Sequence, residues 1–187
     1  MSHCSGPIMM QSMDRSDREP ALSRLQWLLC GMVALGFAFN QYEILVAPLI
    51  IRPVLNDLGG LQPGSSAYNL WAGLLLFLPA ATGGIFGLLG GYLTDRFGRR
   101  RALVWSILLY GGSSCAAAYT DSLAMFLLFR CATWTGVCVE SVAAIAWLAE
   151  LLPSPRQRES ALGYTQAFIG VGGLMVTGVY YLAVTYA

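Results

Sequence analysis

The chain has 187 residues, of which 56% are hydrophobic and only 11% are charged. Because about a quarter of the residues of a typical soluble domain are charged, this composition argues against a water-soluble globular protein. The high hydrophobic content also excludes intrinsic disorder. Eleven basic residues, all of them arginine, are nearly balanced by ten acidic ones, so the chain presents no basic field for nucleic acid. The composition therefore predicts a protein that is embedded in the lipid bilayer.

Five apolar stretches follow one another along the chain, and each is long enough to cross the hydrocarbon core as a helix of about 20 residues. The short alternating segments typical of a transmembrane β-barrel are missing from the sequence. We predict an all-α integral membrane protein with a flexible cytoplasmic tail at residues 1–24 and a helical domain at 25–187. Its spans are expected at about 25–51, 70–93, 102–120, 122–149 and 161–187.

The arginines predict the orientation of these spans. Nine of the eleven lie in the tail and in the second and fourth connections, whereas only Arg52 lies on the other side and Arg130 lies within a span. The positive-inside rule places the arginine-rich side in the cytoplasm. We therefore expect a multi-pass protein of the plasma or inner membrane, with a cytoplasmic amino terminus.

Side chains suited to metal binding or nucleophilic catalysis are scarce. The single histidine, His3, lies in the tail, and the five cysteines form no C-x-x-C pair. A nucleophile activated by histidine cannot be assembled from these residues, and the spacing of a zinc site is missing. We predict that the protein is not an enzyme, and we expect no cofactor and no metal site.

The second connection carries the most specific motif, Gly-Gly-Tyr-Leu-Thr-Asp-Arg-Phe-Gly-Arg-Arg-Arg at residues 90–101. Asp95 follows the second span, where the helix dipole disfavours an anion, so an arginine or the amino end of another helix must compensate it. The segment resembles the hallmark loop of the major facilitator superfamily, G-x-L-x-D-R-x-G-R-R. The matching positions are Gly91, Leu93, Asp95, Arg96, Gly98, Arg99, Arg100 and Leu103.

Two further stretches resemble the same family. The fourth span is similar to the R-F-L-x-G-x-G-x-G-G-E pattern of facilitator symporters, with a later A-E, although tryptophan and cysteine replace two of the glycines. The matching positions are Arg130, Gly136, Glu140, Ala149 and Glu150. In the first span, FNQYE at 39–43 with Pro48 resembles the F-D-G-Y-D…P stretch of metabolite and aromatic-acid proton symporters. Glu43 stands at the second acid, and Asn40 replaces the first.

The resemblance implies a function for the second connection. In the family, this loop ties the second span to its counterpart in the other half of the protein and stabilises one of the alternating-access states. Asp95 and Arg99 are the leading candidates for this latch. The full set of latch candidates is Gly91, Asp95, Arg96, Gly98, Arg99, Arg100 and Glu150.

Three ionisable residues lie inside the predicted spans, where an uncompensated charge is expensive and suggests a function. Counting residues places Glu43 and Arg130 both about 12 Å below the outer end, whereas Glu140 lies about 15 Å deeper than Arg130. We expect Glu43 or Glu140 to carry a coupling proton, and Arg130 to attract an anionic substrate or to adjust the protonation of a carboxylate. The alternative is a purely structural pair at the outer level.

Further polar residues in the spans are candidate substrate contacts, although hydrogen bonds between helices are their commoner role. We select Asn40, Tyr42 and Gln166. Gly83, Gly87 and Gly91 recur on one face of the second span, which indicates either a static packing seam or a sliding contact.

Taken with the resemblance, these residues predict a secondary transporter with five of the six spans of an amino-terminal half, and we expect the chain to lack the carboxy-terminal half. The expected activity is proton-coupled symport of a small organic acid or related metabolite by alternating access. A sugar porter and a drug/proton antiporter are alternatives within the superfamily. A multi-span scaffold without transport is the alternative outside it. The expected partners are lipid, a small-molecule substrate, protons and the missing half.

Overall fold

A computed structural model describes residues 23–152 and 154–186, without the side chains of Leu25 and Leu93. The described part of the chain is helical and contains no strand, which confirms the predicted all-α class. Its helices, in chain order, are α1 (Arg24–Asp57), α2 (Ser66–Phe97), α3 (Arg99–Ala117), α4 (Leu123–Leu151) and α5 (Pro155–Tyr186). The predicted flexible tail falls almost entirely on residues 1–22, which include His3 and lie outside the described residues.

Four of these helices are long and apolar enough to cross a membrane, namely α1, α2, α4 and α5. The helix α3 is long enough but does not meet the same hydropathy requirement, because it begins with three arginines. The described helices therefore support a multi-pass membrane protein, whereas the predicted count of five spans stays a prediction.

Three helices extend well beyond their predicted bounds, and one of them, α2 (Ser66–Phe97), exceeds the predicted span 70–93 at both ends. The helix α1 continues past residue 51 through Pro53 to Asp57. Although proline removes a backbone hydrogen bond, Leu55 is completely buried in an apolar cluster with Leu75 and Phe126, and this packing stabilises the extra turn. The helix α5 begins before residue 161 because the sequence contains a strong start signal: the Ser154 hydroxyl accepts a bond from the Gln157 N–H, and proline occupies the first helical position.

The helix α4 lies at the centre of the described bundle. It packs along both α2 and α3, while α5 packs mainly against α1. Gly83 and Gly87 of α2 bring that helix close to α4, since a Cβ at Gly83 would lie 3.0 Å from Cys138 Sγ and 3.1 Å from the Trp134 carbonyl oxygen. The two residues that replace family glycines in α4 thus pack against glycines of α2, which makes the stripe a close packing seam.

Candidate functional site

Glu43 and Arg130 form a buried ion pair between α1 and α4. Arg130 donates from Nη1 to Glu43 Oε2 over 3.0 Å and from Nη2 to the Glu43 carbonyl oxygen over 3.1 Å. Only 12% of the Glu43 side chain and 5% of the Arg130 side chain are exposed. The residue count predicted a shared depth for these two groups, and the structure places them in direct contact. Their charges neutralise each other within the bundle.

Hydroxyl groups of α3 and α4 join these helices to each other and to Glu43. Ser114 Oγ donates to Glu43 Oε1 over 2.7 Å. Next to it, the hydroxyls of Ser113 and Thr133 lie 2.9 Å apart and join α3 to α4. The sequence analysis missed these three residues. Their only signal was the presence of hydroxyl side chains in apolar spans, which is too common to mark a site.

Glu140 lies on α4, further along the helix than Arg130, and its surroundings differ from those of the ion pair. Its residue is only 4% exposed, and its carboxyl packs over α1, where a Cβ on Gly36 would lie 2.5 Å from Glu140 Oε1. Within residues 23–152 and 154–186, no basic group pairs with Glu140, and its Oε2 has no hydrogen-bond partner. This carboxyl is therefore buried without a compensating charge.

Asn40 is the polar neighbour of Glu140. Its carboxamide lies within interaction range of the Glu140 carboxyl, and its Nδ2 donates to Ser141 Oγ over 3.2 Å. Among the described atoms, Asn40 Oδ1 has no hydrogen-bond partner either. Two buried oxygen acceptors are thus left unsatisfied in one region between α1 and α4, and a proton on the carboxyl would supply a donor there.

The other two predicted substrate contacts lie apart from these groups. Tyr42 is half-buried on α1, and Gln166 is exposed on α5. Among the described residues, no hydrogen bond or ion pair joins either side chain to Glu43, Arg130 or Glu140. Their suggested roles stay predictions.

The predicted latch residues lie at the arginine-rich end of the bundle. Gly98 adopts a positive φ of 88°, which allows α3 to begin directly after α2. Arg99 then reaches α4, donating from Nη1 to Glu150 Oε1 over 2.8 Å and to the Ala146 carbonyl oxygen over 2.6 Å. Its Nη2 lies 3.7 Å from Asp95 Oδ1. Asp95 thus has an arginine of the first turn of α3 as its charged neighbour.

Side chains from α1 and α5 satisfy the carboxyl end of α4, next to the contact that Arg99 makes with Glu150. The last turn of α4 contains no basic residue, and its free carbonyl groups need donors. Arg158 donates to the Ala149 carbonyl oxygen over 2.7 Å, and Gln26 donates to that of Leu151 over 3.2 Å. The amino ends of α1, α3 and α5 are thereby joined to one end of α4.

The remaining latch candidates contribute differently. Arg96 donates to the Tyr92 hydroxyl over 3.2 Å within α2, and Gly91 lies against Val142 of α4. Arg100 is exposed. Asp95 and Glu150 keep 73% and 59% of their side chains exposed, so this end of the bundle is accessible to water or to another segment.

Comparison with known proteins finds relatives that are named as transporters. The 4-hydroxybenzoate transporter PcaK of Pseudomonas putida is 33% identical over 153 residues, which cover 80% of this chain and 31% of that protein. The niacin transporter NiaP of Acinetobacter baylyi is 25% identical over 163 residues, 87% of this chain and 35% of that protein. The cis,cis-muconate transport protein of the same organism is 29% identical over 143 residues, which cover 76% of this chain and 34% of that protein.

The chain thus spans about a third of the length of these curated relatives. All three are named as transporters, so the prediction of a protein other than an enzyme holds at the level of the family. The family model described as Major Facilitator Superfamily matches residues 28–186. A match over that range covers nearly all of the described helices, and the chain belongs to the Major Facilitator Superfamily.

Proposed function

We propose that the chain forms part of the amino-terminal half of a proton-coupled symporter for small organic acids. In this proposal α3 is also a membrane span, and five helices contribute to one side of a central substrate path. The single observation that carries the proposal is the contrast between a neutralised Glu43–Arg130 pair and an uncompensated buried Glu140. A bundle that served only as a scaffold gains nothing from burying such a carboxyl, because unpaired polar groups in a membrane are costly.

Glu140 is the proposed proton-binding residue. A buried carboxyl without a cationic partner, and with one oxygen that lacks a hydrogen-bond donor, is compatible with its surroundings when it holds a proton, and it becomes costly when the proton leaves. Water or a polar substrate that reaches Glu140 changes this balance. Proton release then becomes linked to the opening of the path, which is the requirement for coupling.

Glu43 and Arg130 are proposed to keep fixed charges. One bond from Arg130 and one from Ser114 stabilise the Glu43 carboxylate, and a second bond from Arg130 holds the Glu43 carbonyl oxygen. Of the two roles considered for Arg130, the contacts favour that of a counter-charge for Glu43 in this conformation. Asn40, Tyr42 and Gln166 are left as proposed polar contacts for the substrate.

The names of the relatives support the proposed substrate class. Hydroxybenzoate, niacin and cis,cis-muconate are small molecules that carry a carboxylate. We extend this shared group to the present chain as a carboxylate of similar size.

The proposed orientation places the Arg99–Glu150 contact in the cytoplasm, together with the amino terminus. There the contact holds the α2–α3 junction to the end of α4. A latch at this position stabilises one alternating-access state and loosens when the carboxy-terminal half moves.

Transport by the protein that contains this chain tests the proposal. The protein is reconstituted in proteoliposomes, and uptake of labelled 4-hydroxybenzoate, niacin and muconate is measured with an imposed pH gradient and with a protonophore. We expect at least one carboxylate to accumulate and the protonophore to abolish accumulation. Glu140→Gln is expected to lose gradient-driven accumulation while it retains exchange of substrate across the membrane.

Glu159→Gln is the matched control, because Glu159 is exposed at the start of α5 and its substitution removes the same charge. Full proton-driven accumulation by Glu140→Gln would exclude Glu140 from coupling. Absence of uptake for every carboxylate by the folded protein would contradict the proposed substrate class.

A further inference from the structure

A groove of about 520 Å³ opens on the surface where α2, α3 and α4 meet. It exists because α2 and α3 each pack closely along α4 but contact each other little. Gly87 brings α2 near Cys138, and Gly136 brings α4 so close to α3 that a Cβ there would lie 2.9 Å from the Ser106 carbonyl oxygen. The two outer helices diverge from their junction at Gly98, and the space between them stays open.

The groove is apolar along most of its length. Phe86 and Leu89 of α2 and Trp105 and Leu109 of α3 line its walls, and all four side chains are substantially exposed. Val139 of α4 lies at its floor. A surface of this kind is suited to a flexible hydrocarbon chain.

The two hydroxyl groups in the lining already have hydrogen-bond partners. Ser106 Oγ donates to the Leu103 carbonyl oxygen over 2.9 Å, and Thr135 Oγ1 donates to that of Cys131 over 2.8 Å. These hydroxyls have their hydrogen bonds within their own helices. An apolar ligand in the middle of the groove therefore leaves no hydroxyl group without a partner, which favours an acyl chain over a soluble metabolite.

Arg101 supplies a positive charge at one end of the groove. It lies on the same stripe of α3 as Trp105 and Leu109, one and two turns before them. Among residues 23–152 and 154–186 it has no ion-pair or hydrogen-bond partner, whereas neighbouring Arg99 is held by Glu150. A guanidinium beside an apolar groove is complementary to a phosphate that carries a hydrocarbon chain.

We propose that this groove binds one anionic glycerophospholipid, with its phosphate on Arg101 and an acyl chain along Trp105 and Leu109. The arginine-rich end of the bundle faces the cytoplasmic leaflet by the positive-inside rule, and that leaflet carries anionic lipids. The lipid fills the gap between α2 and α3 and contacts the helix that follows the Gly98 junction. The site does not depend on whether Glu140 binds a proton.

Fluorescence quenching of Trp105 tests the site. The chain is reconstituted in phosphatidylcholine vesicles, and phosphatidylglycerol with brominated acyl chains is added stepwise while tryptophan emission is recorded. The part of the quenching that is lost in Trp105→Phe measures the lipid bound in the groove. We expect brominated phosphatidylglycerol to saturate this component at about a fivefold lower mole fraction than brominated phosphatidylcholine, the preference expected from one basic residue near an anionic lipid.

Two arginine variants separate the groove from general electrostatic attraction. Arg101→Gln is expected to abolish the preference for phosphatidylglycerol. Arg100→Gln removes the same charge at the adjacent position, whose exposed side chain does not line the groove, and is expected to retain it. Circular dichroism confirms that both variants keep their helices.

Equal quenching by the two brominated lipids in the unmodified chain would overturn the proposal. An equal effect of Arg100→Gln and Arg101→Gln would also overturn it, since surface charge alone would then explain the preference. Relief of the quenching by inorganic phosphate would identify a site for soluble anions in place of a lipid site.

Discussion

Two glutamates are buried inside the same bundle, and their surroundings differ completely. Glu43 on α1 is bound by Arg130 and Ser114, so its carboxylate is neutralised and both oxygens have donors. Glu140 on α4 is buried against α1 beside Asn40, and its Oε2 has no partner among the described residues. The comparison shows that burial alone does not define the role of an intramembrane acid. In the proposed function, the partners decide whether a buried acid keeps a fixed charge or exchanges a proton.

The largest predicted difference is in stability. Glu43→Gln leaves the Arg130 charge buried without its counter-charge, and we expect the free energy of unfolding to fall by about 3–5 kcal/mol. Glu140→Gln replaces an unpaired carboxyl by a neutral group of similar size, so we expect a change of at most about 1 kcal/mol. Denaturant titration followed by circular dichroism measures both values.

The double variant Glu43→Gln/Arg130→Met is the control for this prediction. It removes both charges, and we expect it to recover most of the stability that Glu43→Gln loses. Equal losses for Glu43→Gln and Glu140→Gln would remove the distinction between the two acids.

Two serines allow the comparison to be repeated with smaller changes. Ser114→Ala removes a donor to the charged Glu43, and we expect a loss of about 1.5–3 kcal/mol in unfolding free energy. Ser141→Ala removes an acceptor for the neutral Asn40 amide, and we expect a loss of about 0.5–1.5 kcal/mol. The same denaturant titration applies. A larger loss for Ser141→Ala would indicate that the strongly held region is the one around Glu140.

Gly36 offers a way to move Glu140 without changing its chemistry. The new Cβ of Gly36→Ala would contact Glu140 Oε1, and rotation of that flexible side chain costs about 1 kcal/mol. We expect nearly normal stability but weakened proton-driven uptake. Gly31→Ala is the matched control, because a Cβ there meets no atom within 4 Å. Equal proton-driven uptake by the two variants would show that the position of Glu140 is unimportant.

The smallest effect is expected for the exposed pair at the other end of α4. Glu150→Gln removes the Arg99 contact, but both side chains are partly exposed to solvent, so we expect a stability loss of about 0–1 kcal/mol. The loss should shrink further in high salt, because exposed charges are screened. A loss as large as that of Glu43→Gln would contradict the ordering of these two ion pairs.

The sequence was sufficient to predict the class of fold and part of the site. Counting residues along antiparallel spans brought Glu43 and Arg130 to one depth, because the rise of a helix is regular. The isolation of Glu140 was not predictable, since it depends on which face of α1 packs against it. The Arg99 contact with α4 was also hidden, because sequence patterns do not show which helix packs beside the start of α3. The extension of α1 through Pro53 required the tertiary burial of Leu55.

Infrared spectroscopy of the chain in lipid membranes tests the central claim most directly. A C=O stretch of a protonated carboxylic acid in a sample at neutral pH reports an acid that holds its proton, as expected for a carboxyl buried without a compensating charge. We predict one such band that disappears in Glu140→Gln and persists in Glu43→Gln. A band that persists in Glu140→Gln, or one that disappears only in Glu43→Gln, would contradict the assignment of the proton to Glu140.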